Sequence, residues 1–374
     1  MTLENWEKIK TYYKAWWNYE VLDKVPIWVA APRDDPQSRE ILSGNTIKIR
    51  REEKFNKEKV IEAAEKSFEA TFFGGVAFPC YLPNFGTDVF SGYMGADIEF
   101  SSVFFPAFAW GANMEESLPV SWAKWNNPIL TDYSDLSVIQ IKDKNLYWQK
   151  TKEFMRYALE RSQGKYLVGL TDIHEGMDSL AVLRGGPNQV CLDLIDNPEG
   201  VKEAMKLLWK AVHKVYEESY QITADKQEGT SSWINCWCPG KGYPVQNDFT
   251  CLISTSMYRE FFLEELVNEI NYLDYSIYHL DGPDALKHLD MILEIPRLSG
   301  VQWIPGARME REGVARWIPI YRKIQAKKKA IQVFCQPTEV DFVLENLEPE
   351  GLLIFTTCPS EKKAKELLSH KGWI

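Results

Sequence analysis

The chain has 374 residues, enough for one large domain and too few for three. A net charge of −10 supplies no basic stripe for a nucleic-acid surface, and 45% hydrophobic with 26% charged residues is an ordinary globular balance. No run of 18 apolar residues suggests a membrane span, and the charged start MTLENWEKIK does not read as a signal peptide, so a cytoplasmic protein with reduced cysteines is expected.

Residues 1–24 read as an amphipathic helix whose aromatic side chains pack on the body. A first strand follows at 25–29 and a helix at 55–73, with apolar Val60, Ala63, Ala64, Phe68 and Phe72 at helical spacing. A second strand is expected at 75–78. Residues 80–145 then form a long insertion rich in aromatics, Gly, Pro and Asn, suited to a lid over an apolar pocket or to a helical cap. Beyond it, apolar β-rich runs alternate with helical stretches: 165–170, 230–235, 276–280, 300–303, 331–335 and 351–355. Between them, helices are expected after Asn197-Pro198, after a Ser254 or Thr255 cap, at Pro283 and near Ser360. Eight strands alternating with helices predict a (β/α)8 TIM barrel over the whole chain, whose strand carboxyl ends hold the active site.

That geometry turns the residues just past each run into site candidates. The sharpest is YHLDG. On one strand His279 and Asp281 point to the same side, and an imidazole and a carboxylate so placed can bind a metal or form an acid/base pair. Asp281 can equally cap the helix at Pro283. Cys358 ends the last strand, three strand steps on. Thiolate, imidazole and carboxylate converging on the axis would suit zinc with one open position. After the third strand come Asp172, His174, Glu175 and Asp178, followed by Arg184-Gly185-Gly186, a grouping fit for a charged or hydroxylated ligand. Cys236, Trp237 and Cys238 end the fourth, with Trp233 and Trp237 as possible pocket walls. Arg33, Asp34 and Asp35 follow the first strand and Asn84 the second. Gln302 and Trp303 lie on the sixth, and Gln336 follows the seventh. Nucleotide glycine fingerprints, G-x-S-x-G and H-E-x-x-H are absent from the sequence, while a glycosidase-like pair of acids stays open.

At YHLDGPDALKHLDMILEIPRLSGVQWIPG the sequence resembles the uroporphyrinogen decarboxylase-like superfamily. The segments VPIWVAAPR, LVGLTDIHEGMDSLAVLRGG, DFT…STSMYREFFLEEL and EGLLIFTTCPS extend the resemblance over most of the chain. It implies a (β/α)8 barrel. True decarboxylases of the group carry an M-R-Q-A-G-R arginine motif that VAAPRDD lacks. The corrinoid-dependent methyltransferase branch uses H-x-C and a distant Cys as zinc ligands. By resemblance His279 matches the His and Cys358 the distant Cys, while Asp281 stands in place of the middle Cys. The expected function is therefore methyl transfer between a small organic substrate and a partner corrinoid protein, with zinc assistance. The alternatives are a metal-free decarboxylase or lyase using Arg33 or Arg184 with Asp172, and a non-catalytic ligand-binding barrel.

Overall fold

The computed structural model describes residues 3–42, 49–100, 103–104, 121–306 and 313–374. It is a mixed α/β protein built on a seven-stranded, mostly parallel sheet. Nine strands matter for the site: β1 Ile27–Pro32, β2 Thr71–Gly75, β3 Cys80–Tyr81, β4 Leu167–Val168, β5 Gly242–Gln246, β6 Tyr275–Asp281, β7 Gly300–Ile304, β8 Ala330–Phe334 and β9 Leu352–Thr357. Their order in the sheet is β2-β1-β9-β8-β7-β6-β5, so the last parallel strand pairs with the first. β2 is antiparallel to β1; every other pair in the sheet is parallel. β3 and β4 form a separate parallel pair, and strand pairing does not run continuously into a closed sheet.

Two of the expected strands need correction. Of residues 75–78 only Gly75, at φ 62°, belongs to a strand, as the end of β2; 76–79 connect it to β3. Residues 230–235 form no strand: Thr230 makes only an isolated bridge with Cys238, and β5 takes the place beside β6. Pro244 inside β5 is what hides it in the sequence. Proline cannot donate to a ladder and is confined to edges, and β5 is an edge of this sheet. The gap between β4 and β5 is crossed by Tyr243, whose hydroxyl donates to Thr171 O at 2.7 Å and accepts from Ile173 N at 2.9 Å.

Helices form where caps and apolar periodicity agree. α1, Leu3–Trp17, buries Trp6, Ile9, Tyr13, Trp16 and Trp17 on one stripe. α2, Lys57–Ala70, is capped by Asn56, and α3, Leu146–Ser162, by Asn145. α4, Gly176–Arg184, precedes α5, Pro187–Asp196. Asn197 then caps α6, Pro198–Ala224, with Pro198 in its first turn. The helix expected after Ser254 breaks at Phe262 into α7, Thr255–Phe261, and α8, Leu263–Tyr272. Pro283 opens a 3-10 turn, Pro283–His288, rather than a full α-helix. Ser360 caps α9, Glu361–His370.

One apolar core lies between the sheet and its helices; a second joins α1 to the inside of the sheet. The described part of the insertion is packed: Phe85, Phe90, Tyr93, Met94, Leu130 and Ile139 are all buried in the main core. Residues 101–102 and 105–120 of the insertion expected to form a lid lie outside the described residues. Among the described residues no helix is long and apolar enough to cross a membrane.

Candidate metal centre

Register builds the site. β5 and β6 are parallel with Gln246 opposite His279. Asp281 ends β6 two residues on, on the same side as His279, and Asp248 opens the 3-10 turn Asp248–Leu252 two residues past the end of β5. One ligand atom from each of Asp248, His279 and Asp281 lies within 4.8 Å of the others. A histidine and two carboxylates on two neighbouring strand ends form a hard O/N donor set, suited to a divalent cation.

The other polar residues of the mouth gather round it. Asp172 is 7% exposed, accepts a 3.5 Å hydrogen bond from Asn84 Nδ2, and has no partner on its Oδ1. Burial raises its pKa, against the pull of His174 and His279. Asp281 Oδ1 is also buried without a partner, and burial together with Asp248 raises that carboxyl. Burial works against charge on His174, yet Asp172, Asp178, Asp248 and Asp88 outweigh it and hold the imidazole above its ordinary value. Asp178 accepts from the main-chain N–H groups of Asp248 and Phe249, both at 2.7 Å, so it secures the loop that presents Asp248. Trp233 packs edge-on to the His279 ring, 4.9 Å between centroids. Seven residues, Asp88, Asp172, His174, Asp178, Asp248, His279 and Asp281, thus form one electrostatic group.

The sequence candidates divide accordingly. His279, Asp281, Asp172, His174, Asn84, Trp233 and Gln302 come together. Glu175 lies behind the site: its Oε1 accepts from Gln246 N, and burial plus Glu269 push it well above the carboxylate range. Cys358 is not in the ligand group. It is buried in the main apolar core at the end of β9, and burial pushes its thiol up to about 11. Arg184 is spoken for: its guanidinium is paired with Asp193 at 2.7 Å and donates to Leu130 O. Arg33 donates to Glu69 O and faces Glu361 at 3.7 Å. It borders a groove of about 1070 Å³ along β2, which none of the mouth's acids line. Cys236 and Trp237 are buried beneath α1 at the opposite end, where Trp17 Nε1 donates to Trp237 O. Trp303 alternates outward from Gln302 and packs on Trp317 among the helices. Gln336 is exposed and caps the turn Pro337–Glu339.

Asp88 and Asp248 are residues that sequence reading missed. Once 230–235 is taken as the fourth strand, its end is Cys236; with β5 in place, the end is Asn247-Asp248. The signal was present in GYPVQND, apolar at alternate positions with a carboxylate just past the end, but Pro244 argued against it. No family model matches the chain and no match to a curated protein is found, so the family resemblance rests on its motifs alone.

Proposed function

We propose that this protein is a metal-dependent enzyme in which Asp248, His279 and Asp281 hold a divalent cation. The supporting observation is the 4.8 Å convergence of three ligand atoms beside two buried, unpartnered carboxylate oxygens, on Asp172 and Asp281. Unpaired buried carboxylates are costly, and a bound cation compensates for them. We take the scaffold to be an eight-stranded barrel of β1 and β3 to β9. The pairing of β9 with β1 and the Tyr243 bridge between β4 and β5 support it.

A cation there supplies Lewis acidity to an oxygen or nitrogen of a small organic substrate. Asp172 accepts a hydrogen bond from the substrate, and His174, whose pKa its aspartates raise, donates a proton to the heteroatom that leaves as the C–O or C–N bond breaks. Methyl transfer to a corrinoid protein is the reaction that the family resemblance implies, and it fits this assignment. Without Cys358 the ligands are oxygen and nitrogen only, which favours a C–O or C–N bond over thiol chemistry. The lyase alternative relied on Arg33 or Arg184, both engaged elsewhere.

The test has two stages. Chelator-treated protein is titrated with Zn²⁺ and Mn²⁺, then offered methyl ethers and methylamines with cob(I)alamin as acceptor. One cation per chain, and methylcobalamin formed only in its presence, is the expected outcome. Failure of wild-type protein to bind either ion removes the proposal. Binding without methylcobalamin keeps the metal centre and removes the methyl transfer.

A further inference from the structure

Below the mouth a polar row crosses the sheet. β6, β7 and β8 are parallel and in register, so His279, Gln302 and Gln332 stand side by side on one face. His279 Nδ1 meets Gln302 Oε1, and Gln302 Nε2 donates to Gln332 Oε1. Gln332 Nε2 in turn donates to Ile234 O at 2.9 Å and lies 3.5 Å from Cys236 Sγ.

The far end of this row fixes its direction. A backbone carbonyl only accepts, so Gln332 must turn its NH2 toward Ile234 and its oxygen toward Gln302. Gln302 must then answer with its own NH2, which leaves its oxygen facing the ring. That oxygen only accepts, so Nδ1 carries the hydrogen. Flipping either amide would set acceptor against acceptor where Gln302 is 2% and Gln332 0% exposed, out of reach of bulk water.

We propose that Gln302 and Gln332 are positioning residues that hold neutral His279 as the Nδ1–H tautomer and leave its Nε2 lone pair for the cation. This rests on the metal reading of Asp248, His279 and Asp281. A neutral imidazole has one donor and one acceptor nitrogen, and a ligating histidine usually donates its other N–H to an oxygen. Here the oxygen's orientation is set by main chain two side chains away. Ile234 belongs to the loop held by α1, where Tyr13 Oη donates to Asn235 O at 3.4 Å and Trp17 Nε1 to Trp237 O at 2.9 Å. The N-terminal helix therefore reaches the metal centre through one loop and two glutamines.

Ring-15N-labelled, chelator-treated protein at alkaline pH tests this by long-range 1H–15N correlation. The chain has five histidines, and His279→Gln assigns the signal that matters. The expected wild-type pattern is a protonated Nδ1 and a bare Nε2. Gln302→Met and Gln332→Met, which keep the volume, should move the signal toward the Nε2–H form that free imidazole prefers. Gln302→Glu keeps an acceptor and should keep Nδ1–H. Cation affinity should fall by about 10–100-fold in Gln302→Met. An Nε2–H pattern in wild type overturns the proposal, and that spectrum needs no variant to fold. An Nδ1–H pattern in a protein that binds no cation sustains the tautomer lock and sinks the metal reading instead.

Discussion

The two ends of the sheet are built on opposite terms. At the amino end, α1 lays Trp6, Tyr13, Trp16 and Trp17 against Phe78, Trp237 and the strand starts. Its polar atoms are answered by main chain: Tyr13 Oη by Val76 O, Trp16 Nε1 by Ile331 O, Trp237 Nε1 by Glu228 O. Among the described residues Trp28 Nε1, Trp373 Nε1 and Asn235 Nδ2 are left without a partner there. At the carboxyl end, acids crowd together, burial raises their pKa values, and oxygens of Asp172 and Asp281 are left over. The atoms left over at one end are neutral N–H donors; those at the other are carboxylate oxygens, which a cation would answer. Stability should therefore concentrate at the first and binding at the second, the usual trade at functional sites.

Substitutions that sharpen this contrast can be ranked. Arg184→Ala should cost about 3–5 kcal/mol in chemical denaturation, because it strands the buried Asp193 carboxylate. Cation binding should be unaffected, and a loss of ligand affinity without loss of stability would return Arg184 to the site. Trp16→Ala should cost a similar amount, about 3–5 kcal/mol, by opening a cavity under α1.

A further effect comes from pH. Burial pushes Glu269, beside Glu175, up to about 8 from an ordinary 4.5. Between those values the folded state keeps a proton that the unfolded chain has lost. This contribution is thus fully present below 4.5 and lost as pH rises through about 8. Melting curves from pH 5 to 9 should show the decline, and Glu269→Gln should flatten it. Smallest of all is Asp281→Asn. Removing a half-buried carboxylate should leave the melting temperature level or slightly raised, while cation uptake disappears. A large fall in stability would mean that Asp281 is a structural cap.

Much of this architecture was legible. Periodicity placed α1, and β-rich runs located β6 to β9 within a residue or two, because those strands are mostly buried on both faces and rich in apolar residues. Strand parity put His279 and Asp281 on one side. The same parity, carried one strand further, separates Gln302 from Trp303, which a list of strand-end residues does not do. Hidden features were those set by distant partners. Arg184 beside two glycines looks like an anion clamp until Asp193, a turn-and-helix away, takes its guanidinium. Cys236 and Trp237 look like a strand end until α1 folds over them. Cys358 has the spacing of a ligand, but its surroundings are apolar.

The central claim is a cation held by Asp248, His279 and Asp281, and crystals grown with Mn²⁺ or Zn²⁺ test it most directly. An anomalous-difference peak within coordination distance of all three side chains, absent from Asp248→Ala and unchanged in Cys358→Ala, is the predicted result. A peak on Cys358, or none at the mouth when the solution is saturated with either ion, would contradict it.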